Sequence, residues 1–234
     1  MQRQPIFNAP AVVVALAAVF VGLHLLLTLV PAETGDHWFL GLALVPARYG
    51  RLAAGVPGWS VSAWTAPFTH MLVHADWLHL LVNTGWLLAF GSAIARRTGP
   101  LRMLVMFVLC GLAGAALYVA IHPGEPASLI GASGGLSGLM GGVFRFMLRT
   151  PSWQPDGQPE APWQAPLQSL GECLRDPRIR MAAGVWLGVN LLFGLIPPGV
   201  ILDGTIAWEA HLGGFLLGFL GMGLFERPAV GQPA

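Results

Sequence analysis

Apolar positions along this chain come in long unbroken runs. They follow neither the i, i+3, i+4 stripe of a soluble helix nor the alternation of a half-buried strand. Six runs stand out, at about 11–30, 72–92, 103–122, 132–148, 181–201 and 209–225. Each is long enough, or nearly so, to cross a hydrocarbon layer about 30 Å thick. Lipid offers backbone groups no hydrogen-bond partners, so such spans are helices. The pattern therefore predicts an all-α, polytopic membrane protein with a bundle of six transmembrane helices. The fourth and sixth runs are short and glycine-rich, which suits helices shielded inside a bundle. The first run, "AVVVALAAVFVGLHLLLTLV", is longer than the roughly 7–15 apolar residues of a signal peptide and reads as a retained span.

The organisation that follows is a short N-terminus (1–10), a membrane domain (11–225) and a tail (226–234). Two connections are long. Residues 31–71 carry apolar patches such as "WFLGLALVP" and are expected to lie partly in the membrane interface. Residues 150–180 begin with a Pro- and Gln-rich stretch that is expected to be disordered. Arginine sets the orientation. Arg96, Arg97, Arg102, Arg145, Arg149, Arg175, Arg178, Arg180, Arg3 and Arg227 fall on one side, against Arg48 and Arg51 on the other. Both termini and residues 150–180 are thus expected in the cytoplasm.

Composition agrees: 55% of the 234 residues are hydrophobic and 10% charged, where a soluble domain carries about 25%. A net charge of +1 gives no reason to expect a nucleic-acid partner. Cys110 and Cys173 form no metal or redox spacing.

Polar groups inside a membrane are costly, so each is a functional candidate. Span two opens "HMLVHADWLHLLVNTG", with His70, His74, His79 and Asn83; the last two share a helix face. Span four opens "GASGGLSGLMGG", holding Gly-x-Ser-Gly twice, at Ser133 and at Ser137. Span six opens "EAHLGGFLLG", with His211 near its outer end. Taken singly, each is ordinary glue between helices, and His24 and His122 receive only that reading. A zinc site at His70 and His74 (i, i+4) is a competing reading. It lacks a His-Glu-x-x-His motif and a carboxylate on the same face, so no metal or other cofactor is expected.

Depth separates the serines. With the flanking arginines as a floor and about 1.5 Å per residue, His211, Ser133 and His79 stand about 24–25 Å up and Asn83 about 20 Å. Ser137 reaches only about 18 Å, a turn too deep to meet His211. A serine needs a base to become a nucleophile, and histidine serves near neutral pH. The oxyanion formed on attack needs fixed donors in a dry site. His79, Asn83 and the Ser133 backbone N–H are candidates. No carboxylate is placed to orient His211, since Glu209 is two residues away and points elsewhere. A Ser–His dyad is the reading.

Over about residues 41–225 the chain resembles the rhomboid family of intramembrane serine proteases. The likeness rests on "LVPARYG", "FTHMLVHADWLHLLVNTGWLLAFG", "GASGGLSGLMGG" and "AHLGGFLLG", in this order on separate spans. The resemblance implies Ser133 as nucleophile, with its flanking Gly131 and Gly134, and His211 as base. His79 and Asn83 serve the oxyanion, and Gly214 and Gly218 bring span six against span four; His74 is a supporting residue. It further implies transmembrane protein substrates cut near the outer face, contact with membrane lipids, and residence in a bacterial inner membrane. Two departures stand out. Ser137 occupies a position where the family often has an aromatic residue packed on the histidine, so a Ser137–His211 hydrogen bond is one way to hold that ring. Trp64 is followed by Thr65 where Trp-Arg is common. A non-catalytic rhomboid-like protein that binds membrane proteins is the alternative function. A transporter is disfavoured, because the polar cluster lies near one end and no inverted repeat is visible.

Overall fold

The computed structural model describes residues 9–49, 61–148, 153, 161–195 and 206–226. The regular elements among the described residues are helices, and Leu44 pairs with Leu129 in a β-bridge. The helices are α1 (Ala11–Leu29), α2 (Ala32–Leu42), α3 (Val61–Thr69), α4 (Trp77–Trp86), α5 (Ser92–Thr98), α6 (Pro100–Ile121), α7 (Ser133–Met147), α8 (Leu170–Arg175), α9 (Pro177–Leu195) and α10 (Trp208–Gly221). A π-helical turn, Leu87–Gly91, joins α4 to α5, so that Trp77–Thr98 forms one continuous span.

Among the described residues four helices are long and apolar enough to cross a membrane: α1, the α4–α5 span, α6 and α9. Helices α7 and α10 are shorter than these, and α7 lies in the interior while α10 buries one face. Every residue of α7 from Gly134 to Phe146 is buried. Helix α7 is the axis of the bundle, and α10 and α6 pack most closely on it. Glycines set that closeness. A Cβ on Gly214 would run into the carbonyl oxygen of Gly134, and one on Gly218 into that of Gly138. Helix α6 is held to α10 in the same way, since a Cβ on Gly114 would meet the Ala210 carbonyl. In lipid, where there is no hydrophobic drive between helices, this close backbone approach is what association rests on.

Several boundaries differ from the sequence reading. Span two does not begin at 72. His70–Leu72 is a 3-10 turn, and α4 begins at Trp77 because the Asp76 side chain caps it, accepting from the His79 N–H at 2.8 Å. His74 therefore lies before the helix, and His70 and His74 are not one turn apart on a shared face. The interval 31–71 contains α2 and α3. Span five begins at Pro177 rather than 181. The start of the 150–180 connection, Arg149 and Arg227, the depth floors, and Arg3 and Arg51 lie outside the described residues, apart from Trp153.

The arginine-rich end is tied together by its guanidinium groups. Arg97 binds both carboxylate oxygens of Glu226, at 2.6 and 3.0 Å, and the carbonyls of Trp163 and Ala165. The buried Arg145 donates to the Gln168 carbonyl at 2.7 Å and to that of Phe219 at 3.3 Å, near the end of α10. Residues 161–176 are thereby strapped across the bundle.

Candidate active site

The site forms at the other end, where α7 begins. Helix α7 has 15 residues and α6 has 22. Gly134 packs against Gly111 of α6, and α6 runs on past that contact to Ile121, about 15 Å at about 1.5 Å per residue. Ser133, the first residue of α7, is thus sunk below the rim of the bundle.

The chain reaches that point through a clasp. Leu44 and Leu129 exchange backbone hydrogen bonds at 3.1 and 2.7 Å, and the Gly131 N–H donates to the His70 carbonyl at 2.9 Å. Gly131 has φ +102°, a left-handed conformation that L side chains rarely adopt. It is also crowded: a Cβ there would lie 2.7 Å from Nε2 of His79. Glycine at 131 thus satisfies both the turn and the approach of the imidazole.

Ser133 Oγ lies 2.7 Å from Nε2 of His211, which projects from the first turn of α10. Both residues are half-buried. Nδ1 of His211 lies 2.5 Å from Oδ1 of Asn190 on α9. The two ring nitrogens are thus taken by Ser133 and Asn190. Ser137 Oγ is fully buried and has no hydrogen-bond partner among the described residues. The Ser137–His211 hydrogen bond considered from the sequence is not formed; Asn190 holds the ring instead.

The dyad reading overlooked Asn190. The signal was there, a lone amide in the apolar run "VWLGVNLLFG", since a polar residue inside a span faces the bundle interior. Glu209 does point elsewhere: its Oε1 pairs with Nε2 of His122 at 2.9 Å.

His79 and Asn83 lie one turn apart on α4, and the Asn83 amide donates to the His79 carbonyl at 2.9 Å. The Ala75 N–H donates to Nδ1 of His79 at 3.3 Å, so Nε2 carries the ring hydrogen. That nitrogen faces Gly131, whose Cβ position is 3.8 Å from Ser133 Oγ. His74 sits behind, its ring 5.2 Å from that of His79 and 5.2 Å from that of Phe20. Among the described hydrogen bonds none joins Asn83 to Ser133. Gly134, Gly214 and Gly218 set the α7–α10 contact described above and carry no chemistry. No cluster of three metal-ligating side chains occurs among the described residues.

The comparisons with known proteins agree with one another. The family model for the rhomboid domain matches residues 61–227. The chain is 28% identical over 161 residues to RHOMBOID-like protein 5 of Arabidopsis thaliana, covering 68% of this chain and 43% of that protein. It is 28% identical over 164 residues to the mitochondrial RHOMBOID-like protein 6 of the same plant, covering 70% and 44%. Against Rhomboid protease GlpG of Haemophilus influenzae it is 34% identical over 76 residues, covering 32% and 38%. The chain spans less than half the length of these curated relatives. With the domain model covering most of the bundle, from α3 through α10, the chain belongs to the rhomboid family.

Proposed function

We propose that this protein is an intramembrane serine endopeptidase that cuts transmembrane protein substrates near the outer membrane face. The observation that carries the reading is the 2.7 Å contact between Ser133 Oγ and His211 Nε2 at a helix start sunk within an apolar bundle. As Ser133 Oγ bonds to the scissile carbonyl carbon, its proton passes to Nε2 of His211. The carbonyl oxygen becomes an oxyanion. It is met by the Ser133 N–H, free at the first turn of α7, by the Nε2–H of His79, and by the second amide hydrogen of Asn83. The C–N bond then breaks as His211 returns the proton to the leaving amine. Water repeats the sequence on the acyl-enzyme and releases Ser133.

The arginine bias supports a cytoplasmic location for both termini and for residues 150–180, and so an outward-facing site. The test is cleavage in proteoliposomes of a transmembrane segment with small residues near its outer end. Wild type is expected to cut it, and Ser133→Ala and His211→Ala to leave it intact. Cleavage by Ser133→Ala contradicts the reading. Binding of such segments without cleavage by wild type favours a non-catalytic, membrane-protein-binding role.

A further inference from the structure

The amide of Asn190 has a fixed direction. Its Nδ2 donates to the Trp186 carbonyl, one turn back on α9, at 2.8 Å. A flipped amide would set Oδ1 against that carbonyl, oxygen to oxygen. Oδ1 therefore faces His211, and an amide oxygen can only accept. Trp186 is itself docked on α10, its ring stacked on Phe215 at 4.4 Å. Asn190 is buried, on a helix whose Val185, Val189 and Leu192 are exposed. A polar side chain there faces inward because it has a partner.

An acceptor at Nδ1 decides the tautomer of His211. The hydrogen must sit on Nδ1, which leaves the Nε2 lone pair aimed at the Ser133 hydroxyl. We propose that Asn190 is a positioning residue of the hydrolytic site: its amide oxygen holds His211 in the Nδ1–H tautomer, so that the unit is Ser133–His211–Asn190. This rests on the protease reading above. The amide supplies orientation without a negative charge, so it aligns the base and stabilises the imidazolium only through its dipole. Replacing the acidic member of a charged triad costs about 10⁴-fold, much of it through the wrong tautomer. Removal of a neutral orienter is expected to cost less, about 10²-fold.

The experiment compares wild type, Asn190→Leu and Asn190→Asp in detergent, as purified full chains with matched thermal stability curves. Three readouts are taken: kcat and KM on a transmembrane substrate, the rate of Ser133 labelling by a fluorophosphonate, and the tautomer of His211 from ¹⁵N shifts of histidine-labelled protein. Asn190→Leu is expected to lower kcat and the labelling rate about 10²-fold with KM nearly unchanged, and to release His211 from the Nδ1–H form. Asn190→Asp, which keeps an acceptor, is expected to restore labelling. Wild-type labelling by Asn190→Leu at undiminished rate overturns the proposal and leaves the protease reading intact. So does a loss of labelling that merely tracks a loss of folded protein. If wild type neither cuts nor labels, the protease reading fails, and the tautomer still decides what Asn190 does: an Nε2–H form in wild type overturns it.

Discussion

At the residue scale, Gly131 and Asn83 bear the sharpest consequences. Gly131 holds φ +102° with the His79 imidazole against its Cα. Gly131→Ala brings strain on the order of 1–3 kcal/mol and pushes His79 away. We expect a folded protein of lowered thermal stability that has lost most of its cleavage activity; unchanged kcat would mean that His79 can move without consequence. Asn83→Ala is expected to lower kcat rather than raise KM. Losing an oxyanion donor costs about 10²–10³-fold where donors are few, and the remaining His79 and Ser133 N–H donors make this an upper bound. Steady-state kinetics checks it, and a change in KM alone would reduce Asn83 to packing against His79.

At the element scale, the start of α4 is set by one side chain. The Asp76 carboxylate accepts from the N–H of His79, the same residue whose ring faces Gly131. Asp76→Ala is expected to cost about 1 kcal/mol and to reduce cleavage through a loosened His79, with Asp76→Asn restoring both. Thermal unfolding read alongside kcat tests the link; loss of stability at full activity would separate the cap from the site. This boundary also marks where the apolar pattern misleads. Hydropathy runs on through "MLVHADW" and predicts a span from 72, whereas the helix begins only where Asp76 can cap it. Of the two glycine-rich runs expected inside the bundle, the fourth is the interior helix α7, and the sixth, α10, is shielded on one face. A helix of small residues loses lipid contact and gains backbone approach, which is the state of α7; α10 gains the approach through Gly214 and Gly218 but keeps an outer face, with Leu216, Leu217 and Leu220 exposed.

At the scale of the whole molecule, length and apolarity were enough for the all-helical membrane architecture, because lipid leaves the backbone no other option. What periodicity does not carry is partnership between distant spans. Depth reckoning puts Ser133 level with His211, but it cannot say that α9 sets Asn190 beside the same imidazole. Orientation in the membrane is proposed from arginine and can be tested directly. Cys173 is a poor reporter, being buried. Gly171, on the exposed face of α8 with open space at its Cβ position, is a good one. In a Cys110→Ala, Cys173→Ala background, Gly171→Cys is expected to resist an impermeant thiol reagent applied to intact cells and to react after permeabilisation. Labelling from outside would invert the topology. The central claim is that Ser133, and not Ser137, is the nucleophile activated by His211. Its most direct measurement is mass-spectrometric mapping of the residue modified when a fluorophosphonate reacts with the purified wild-type protein. The account predicts modification at Ser133, abolished in Ser133→Ala, strongly slowed in His211→Ala and retained in Ser137→Ala. Modification at Ser137, or undiminished labelling of Ser133→Ala, would contradict it.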